Sequence, residues 1–264
     1  MLSGERVSIP PADVYLLAAW HSVYSQLLGL NGKIGVLWTS SVGEMDLEPV
    51  EQVYLMQIIR DPRISFIWFG DANLAEVYPE KGFYAPYPLE VDGVSLPEVE
   101  KSDIATLFCP AGPKKNLLNQ ILAMKIVQRE MKLTLHTNVE GYDLYLGERE
   151  LDCVRHSWLP TEEYKHLLAS AKVNLACSWC ETFNYNVAEA ALLGTTSVVS
   201  PTVPLPGTKV DNPNSPLQIA AAIMSVVRIA KAQGESSRSH LQWWARQRNE
   251  GLMETLSERL SNLP

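Results

Sequence analysis

The chain has 264 residues, enough for one large α/β domain or two modest ones, and its 46% hydrophobic and 20% charged residues suit a globular protein with a full core. A formal net charge of −8 argues against a surface that coats nucleic acid, although a local basic patch would serve a nucleotide phosphate. With no window of eighteen apolar residues and no basic-then-apolar leader, the expectation is a soluble cytoplasmic protein, peripheral membrane attachment being left open.

In chain order, residues 13–19 read as a strand, 21–30 as a helix and 33–39 as a second, fully buried strand. The run from Thr39 to Glu44 reads as a loop, in which Gly43 would let backbone approach a phosphate or sugar. Residues 47–60 predict a helix, 65–69 a strand, and 78–88 a proline- and aromatic-rich connection. Residues 89–103, acidic and carrying Pro97, read as a linker, which divides the chain into 1–103 and 104–264.

The second half opens on a strand at Ile104. Residues 132–135 form another strand, with His136 at its end. From Val173 to Pro201 the pattern is strand, turn, helix, strand. Asn184 or Asn186 can cap that helix and Gly194 can close it. Glu181 falls on the turn and Glu189 about one helical turn further on, both beyond the carboxyl end of a strand, where α/β units bind ligands. Residues 215–231 and 240–259 predict two further helices, the second packing through Trp243 and Trp244.

Four cysteines include Cys177-Ser-Trp-Cys180, but Cys109 and Cys153 supply no matching pair and no His-x-x-x-His follows. Small apolar fillers and reduced thiols are expected, with no metal site. Lys114 and Lys115 stand just before a helix, where positive charge opposes the helix dipole, so an anionic ligand explains them better than solvent.

The stretch of a serine, Ser178, followed by Glu181-Thr-Phe-Asn-Tyr-Asn-Val-Ala-Glu189-Ala-Ala-Leu-Leu-Gly194 resembles the E-x7-E motif of retaining GT-B glycosyltransferases, above all the family 4 type. Residues 104–124 are similar to the strand, loop and helix that open the family's donor domain, and 154–168 to a later strand, loop and helix. The resemblance implies an α/β, GT-B-like fold of two Rossmann-like domains facing a cleft. The N-terminal one, over 1–103, is reduced, and a donor domain over 104–264 ends in a helix crossing back.

It further implies sugar transfer from a nucleotide-diphosphate sugar to an acceptor with retention, by same-face displacement and with no obligatory metal or cofactor. Glu181 and Lys115 would be catalytic, Glu181 at the donor sugar and Lys115 at the diphosphate, with Lys114 the alternative lysine in a loop that includes Gly112. Thr182, Phe183 and Asn184 would offer backbone N–H groups, Glu189 would accept from the ribose hydroxyls, and the base would rest by His156 and Trp158. A surface histidine and a core tryptophan are the alternatives for those last two. Ser41, Glu44 and His21 are acceptor-side candidates, the acceptor being a glycan, a lipid-linked group or a protein. Nucleic acid is not an expected partner; a reduced first domain would leave an open cleft, suited to a large or partner-presented acceptor or to a second copy that completes its sheet. The family's arginine ahead of the lysine is absent, so the other reading is a catalytically weak or inactive nucleotide-binding scaffold.

Overall fold

A computed structural model describes residues 12–18, 32–85, 87–91, 99–110, 112–146, 149 and 151–261. The chain forms two units, Met1–Ala85 with Thr255–Pro264, and Pro86–Glu254. The first unit is built on a sheet of β1 (Val14–Ala18), β2 (Lys33–Trp38), β3 (Ile64–Phe69) and β4 (Gly82–Tyr84), in that order and parallel throughout. The central strands are almost wholly apolar, as strands buried on both faces must be. Val36, Trp38, Ile64, Ile67 and Phe69 form a core with Met45, Leu55, Ile58 and Leu74 of the helices α1 (Val42–Leu47), α2 (Pro49–Arg60) and α3 (Ala72–Val77).

Three elements here, α1, α3 and β4, depart from the sequence pattern. Where a loop was expected, α1 begins at Val42 behind a capping box in which Ser41 Oγ accepts from Glu44 N and Glu44 Oε2 accepts from Ser41 N at 2.9 Å. Gly43 is therefore helical, and Pro49 at the first position of α2 separates two helices where one was expected from residue 47. Within the aromatic connection lies β4, preceded by α3, which Asp71 caps through Asn73 N at 2.9 Å. The helix expected over 21–30 and its His21 lie outside the described residues.

The second unit holds β5 (Ser102–Leu107), α4 (Leu117–Glu130), β6 (Thr134–Thr137), α5 (Asp143–Leu146), β7 (Cys153–Arg155), α6 (Thr161–Ser170), β8 (Ala171–Ala176), α7 (Tyr185–Leu192), β9 (Ser197–Val199), β10 (Thr208–Lys209), α8 (Pro216–Arg228) and the start of α9 (Ala230–Ser261). Its sheet is parallel with the order β10-β9-β8-β5-β6-β7. The chain enters at β5, winds out through β6 and β7, then returns to the other side of β5 for β8 to β10. That reversal is the doubly wound topology, and its switch point lies where the loops leaving β5 and β8 emerge side by side.

Residues 87–91 pack in this unit, with Leu89 and Val91 buried against Val187, Ala188, Leu241 and Ala245. Asn249 of α9 brackets Leu89, accepting from its N at 3.2 Å and donating to its carbonyl at 2.8 Å. Gly194 ends α7 with φ 74°, the left-handed conformation glycine adopts without strain. Gly234 of α9 lies against it so closely that a Cβ would fall 2.0 Å from the Gly194 carbonyl oxygen. The approach requires glycine at 234, and α9 runs unbroken through it where the sequence suggests a helix starting only at 240. Trp244 packs 6.2 Å from Phe183 with the Arg248 guanidinium 4.5 Å over its ring, whereas Trp243 is exposed.

Candidate functional site

Two loops meet at the switch point. The one leaving β5 runs through Gly112 into a 3-10 turn, Pro113–Lys115, and reaches α4 through Asn116, whose φ of 51° turns the chain sharply. The one leaving β8 runs from Cys177 to Asn184, which caps α7 by accepting from Val187 N at 3.2 Å. Direct bonds tie them: Trp179 N donates to the Lys114 carbonyl at 2.8 Å, and Asn116 Nδ2 donates to the Cys177 carbonyl at 3.0 Å. Gln120 of α4 accepts from Cys177 N at 3.0 Å, so the strand end is fixed to the facing helix.

The side chains on these loops converge on one carboxylate. Glu181 Oε1 accepts from Ser178 Oγ at 2.8 Å, from Asn184 Nδ2 at 3.3 Å and from the Lys115 ammonium, a residue 66 positions earlier. Glu181 is 4% exposed and Lys115 13%, so this ion pair is largely removed from water. Burial lowers the Lys114 pKa, the adjacent Lys115 lowers it further, and Glu181 opposes both. Two cations thus face one anion where the positive ends of α4 and α7 arrive, a place suited to a further negative group. Gly112 has extended backbone, and a Cβ there would meet nothing within 4 Å.

Beside this cluster, beyond the ends of β5, β6 and β7, lies a cavity of about 380 Å³ lined by Phe108, Cys109, Asn138, Trp158, Tyr164 and Glu189 among others. Cys109 joins the two places. Burial pushes its thiol up to about 11, with Lys115 pulling down and Glu181 pushing up, so it senses the ion pair from the cavity wall. Trp158 stands 92% exposed at the rim. Glu189 is an exposed residue whose carboxyl is crowded enough that burial raises its pKa, opposed by the Tyr164 hydroxyl, which donates to Oε2 at 2.8 Å, and by Lys165.

No protein-family model matches the chain, and comparison with curated proteins returns no match. Solved structures do match. A UDP-forming α,α-trehalose-phosphate synthase from Burkholderia xenovorans superposes with a TM-score of 0.69 at 12% identity, covering 97% of this chain and 75% of that one. The fold is that of the GT-B glycosyltransferases. The E. coli trehalose-6-phosphate structure bound with UDP-2-fluoro glucose gives 0.67 at 12%, covering 95% and 74%. TarM from S. aureus, in complex with fondaparinux, α-GlcNAc-glycerol and UDP, gives 0.70 at 13%, covering 90% and 53%.

Within this GT-B-like chain the sequence-derived candidates fall into separate places. Lys115, Ser178, Glu181 and Asn184 are brought together, with Lys114 within electrostatic reach, while Glu189 and Trp158 belong to the cavity. His156 sits one step back: its Nε2 lies 3.0 Å from His136 Nδ1, and its ring is 5.8 Å from that of Phe108. Burial lowers the His136 pKa, His156 lowers it further and Asp152 opposes. Phe183 packs among Tyr87, Tyr185 and Trp244. Thr182 follows Glu181 on the loop leaving β8. In the first unit, Ser41 and Glu44 are both buried and bonded to each other in the capping box. Tyr164, Asn186 and Phe108 were not anticipated as site residues. The only signal for Tyr164 was an aromatic on the first turn of a helix following the loop at Trp158.

Proposed function

We propose that the chain is a retaining glycosyltransferase that takes a nucleotide-diphosphate sugar at the switch point of its second unit. The observation that carries this reading is the meeting of Lys115 and Glu181 on two bonded loops next to a cavity that ends in Glu189. The diphosphate lies by Lys115 and Lys114, the base enters the cavity under Trp158, and Glu189 accepts from the ribose. Arrival of the diphosphate gives the Lys115 ammonium a second anion, and Glu181 is released to accept hydrogen bonds from the donor sugar.

Transfer breaks the bond from the anomeric carbon to the diphosphate oxygen and forms one from that carbon to the acceptor oxygen on the same face. The acceptor's proton passes to the departing phosphate, whose growing charge Lys115 stabilises. No metal enters these steps. The trehalose-phosphate synthases named above are UDP-forming, which makes UDP-sugars the first donors to try.

A second reading, a nucleotide-binding protein without turnover, is favoured by one observation: the Lys115 charge is already matched by Glu181 in a largely dry pair. Incubation with UDP-, GDP- and ADP-sugars, with release of nucleoside diphosphate as readout, separates the two. Release by the wild type and its loss in Glu181→Ala supports transfer. Binding with no release across the panel supports the scaffold.

A further inference from the structure

In the cavity wall Glu189 is joined to two half-buried residues, Tyr164 and Asn186, that have no part in the transfer steps above. Tyr164, on the first turn of α6, stands edge-on to Phe108 with ring centroids 5.6 Å apart. Its hydroxyl meets two residues of α7, donating to Glu189 Oε2 at 2.8 Å and accepting from Asn186 Nδ2 at 2.9 Å. Because a phenol has one proton, the amide arriving from Asn186 fixes its direction: the proton must point at Glu189. Burial raises the Tyr164 pKa and the Glu189 charge raises it further, so the hydroxyl stays protonated as this donation requires. The other end of the Asn186 amide, Oδ1, is buried with no hydrogen-bond partner among the described residues.

Glu189 carries a long side chain that would otherwise sample several rotamers at the cavity edge. Tethering Oε2 to Tyr164 holds the carboxylate in one orientation and leaves Oε1 for a ligand in the cavity that Glu189 lines. A group so prepared binds hydroxyls without first losing that freedom. We propose that Tyr164 is a positioning residue which, by fixing Glu189, makes this cavity select a nucleoside diphosphate with intact ribose hydroxyls over its deoxy forms. The inference rests on Glu189 being the ribose acceptor.

The test is titration calorimetry of the full chain with UDP, or with GDP or ADP where one binds more tightly, and with the 2′-deoxy and 3′-deoxy forms of that nucleotide. The proteins are the wild type, Tyr164→Phe, Asn186→Ala and Glu189→Gln. The wild type is expected to prefer the ribonucleotide over at least one deoxy form by about tenfold, the worth of one charge-assisted hydrogen bond. Tyr164→Phe, which keeps the ring against Phe108, is expected to cut that preference by three- to tenfold while leaving affinity for the deoxy form unchanged. Asn186→Ala should cut it in the same direction by less. Equal weakening of all three ligands by Tyr164→Phe, or a preference left intact, overturns the proposal. A wild type that shows no preference or binds none of the nucleotides, with Glu189→Gln without effect, instead overturns the ribose reading itself.

Discussion

The pair of Lys115 and Glu181 makes a strong prediction about stability. Glu181 is 4% exposed and Lys115 13%, so removing either partner leaves a charge in a place with little water to receive it. Breaking a buried pair from one side costs about 3–5 kcal/mol. The low end applies here, because Glu181 keeps Ser178 and Asn184 as donors and the Lys115 stem retains some solvent. Lys115→Met and Glu181→Gln are therefore each expected to lose about 3 kcal/mol, while the double variant, which buries no unmatched charge, is expected to be no less stable than either single one. Urea unfolding at pH 7, followed by circular dichroism, gives the coupling, expected at about 3 kcal/mol. Additive losses, within about 0.5 kcal/mol, would refute the claim that the two groups are desolvated together. Glu181→Gln also frees the lysine, so it should bind UDP more tightly than the wild type even as transfer is lost.

Three further outcomes follow from other parts of the second unit. Lys101 donates to the Ala169 carbonyl at 2.8 Å and to Thr195 Oγ1 at 2.6 Å, and burial lowers its pKa from 10.5 to about 8. The folded chain therefore releases this proton before the unfolded chain does, and stability relative to Lys101→Met should rise by about 3 kcal/mol as pH goes from 8 to 10.5, read by thermal or urea melts. Burial raises the Glu189 pKa, so the folded chain holds that proton to higher pH; wild-type stability relative to Glu189→Gln should fall as pH rises through and above 4.5, and nucleotide affinity should fall as the carboxylate protonates on acidification. Gly234→Ala places a Cβ 2.0 Å from the Gly194 carbonyl oxygen and should cost about 1–3 kcal/mol in the same melts, whereas Gly251→Ala on the same helix, where a Cβ meets nothing within 4 Å, should not destabilise.

The strand, turn and helix around the two glutamates could be read from residues alone because each signal is local: alternation in β8, Asn184 as cap, Gly194 as the left-handed stop. The buried runs of β2 and β3 were equally plain, since a parallel strand covered on both faces is apolar throughout. What escaped was short or tertiary. β4 has three residues and α3 six, too few for a period to show. The start of α1 was written in Ser41 and Glu44, a capping box spacing that the neighbouring Gly43 disguised as a loop. A glycine also hid the true start of α9, where contact with Gly194 offsets the helix propensity lost at Gly234. The candidate site divided in the same way. Lys115 and Glu181 could each be nominated from local context, but their bond to one another spans 66 residues, and the link from Tyr164 to Glu189 joins two helices.

The most direct measurement is a crystal structure of the chain with UDP, or with whichever nucleoside diphosphate binds most tightly. The expected result is a diphosphate in contact with the Lys115 ammonium, Glu181 parted from it, and a ribose hydroxyl on Glu189 with the base in the cavity beneath Trp158. A nucleotide bound elsewhere, or one bound here with Lys115 and Glu181 still paired and no contact to Glu189, would contradict it.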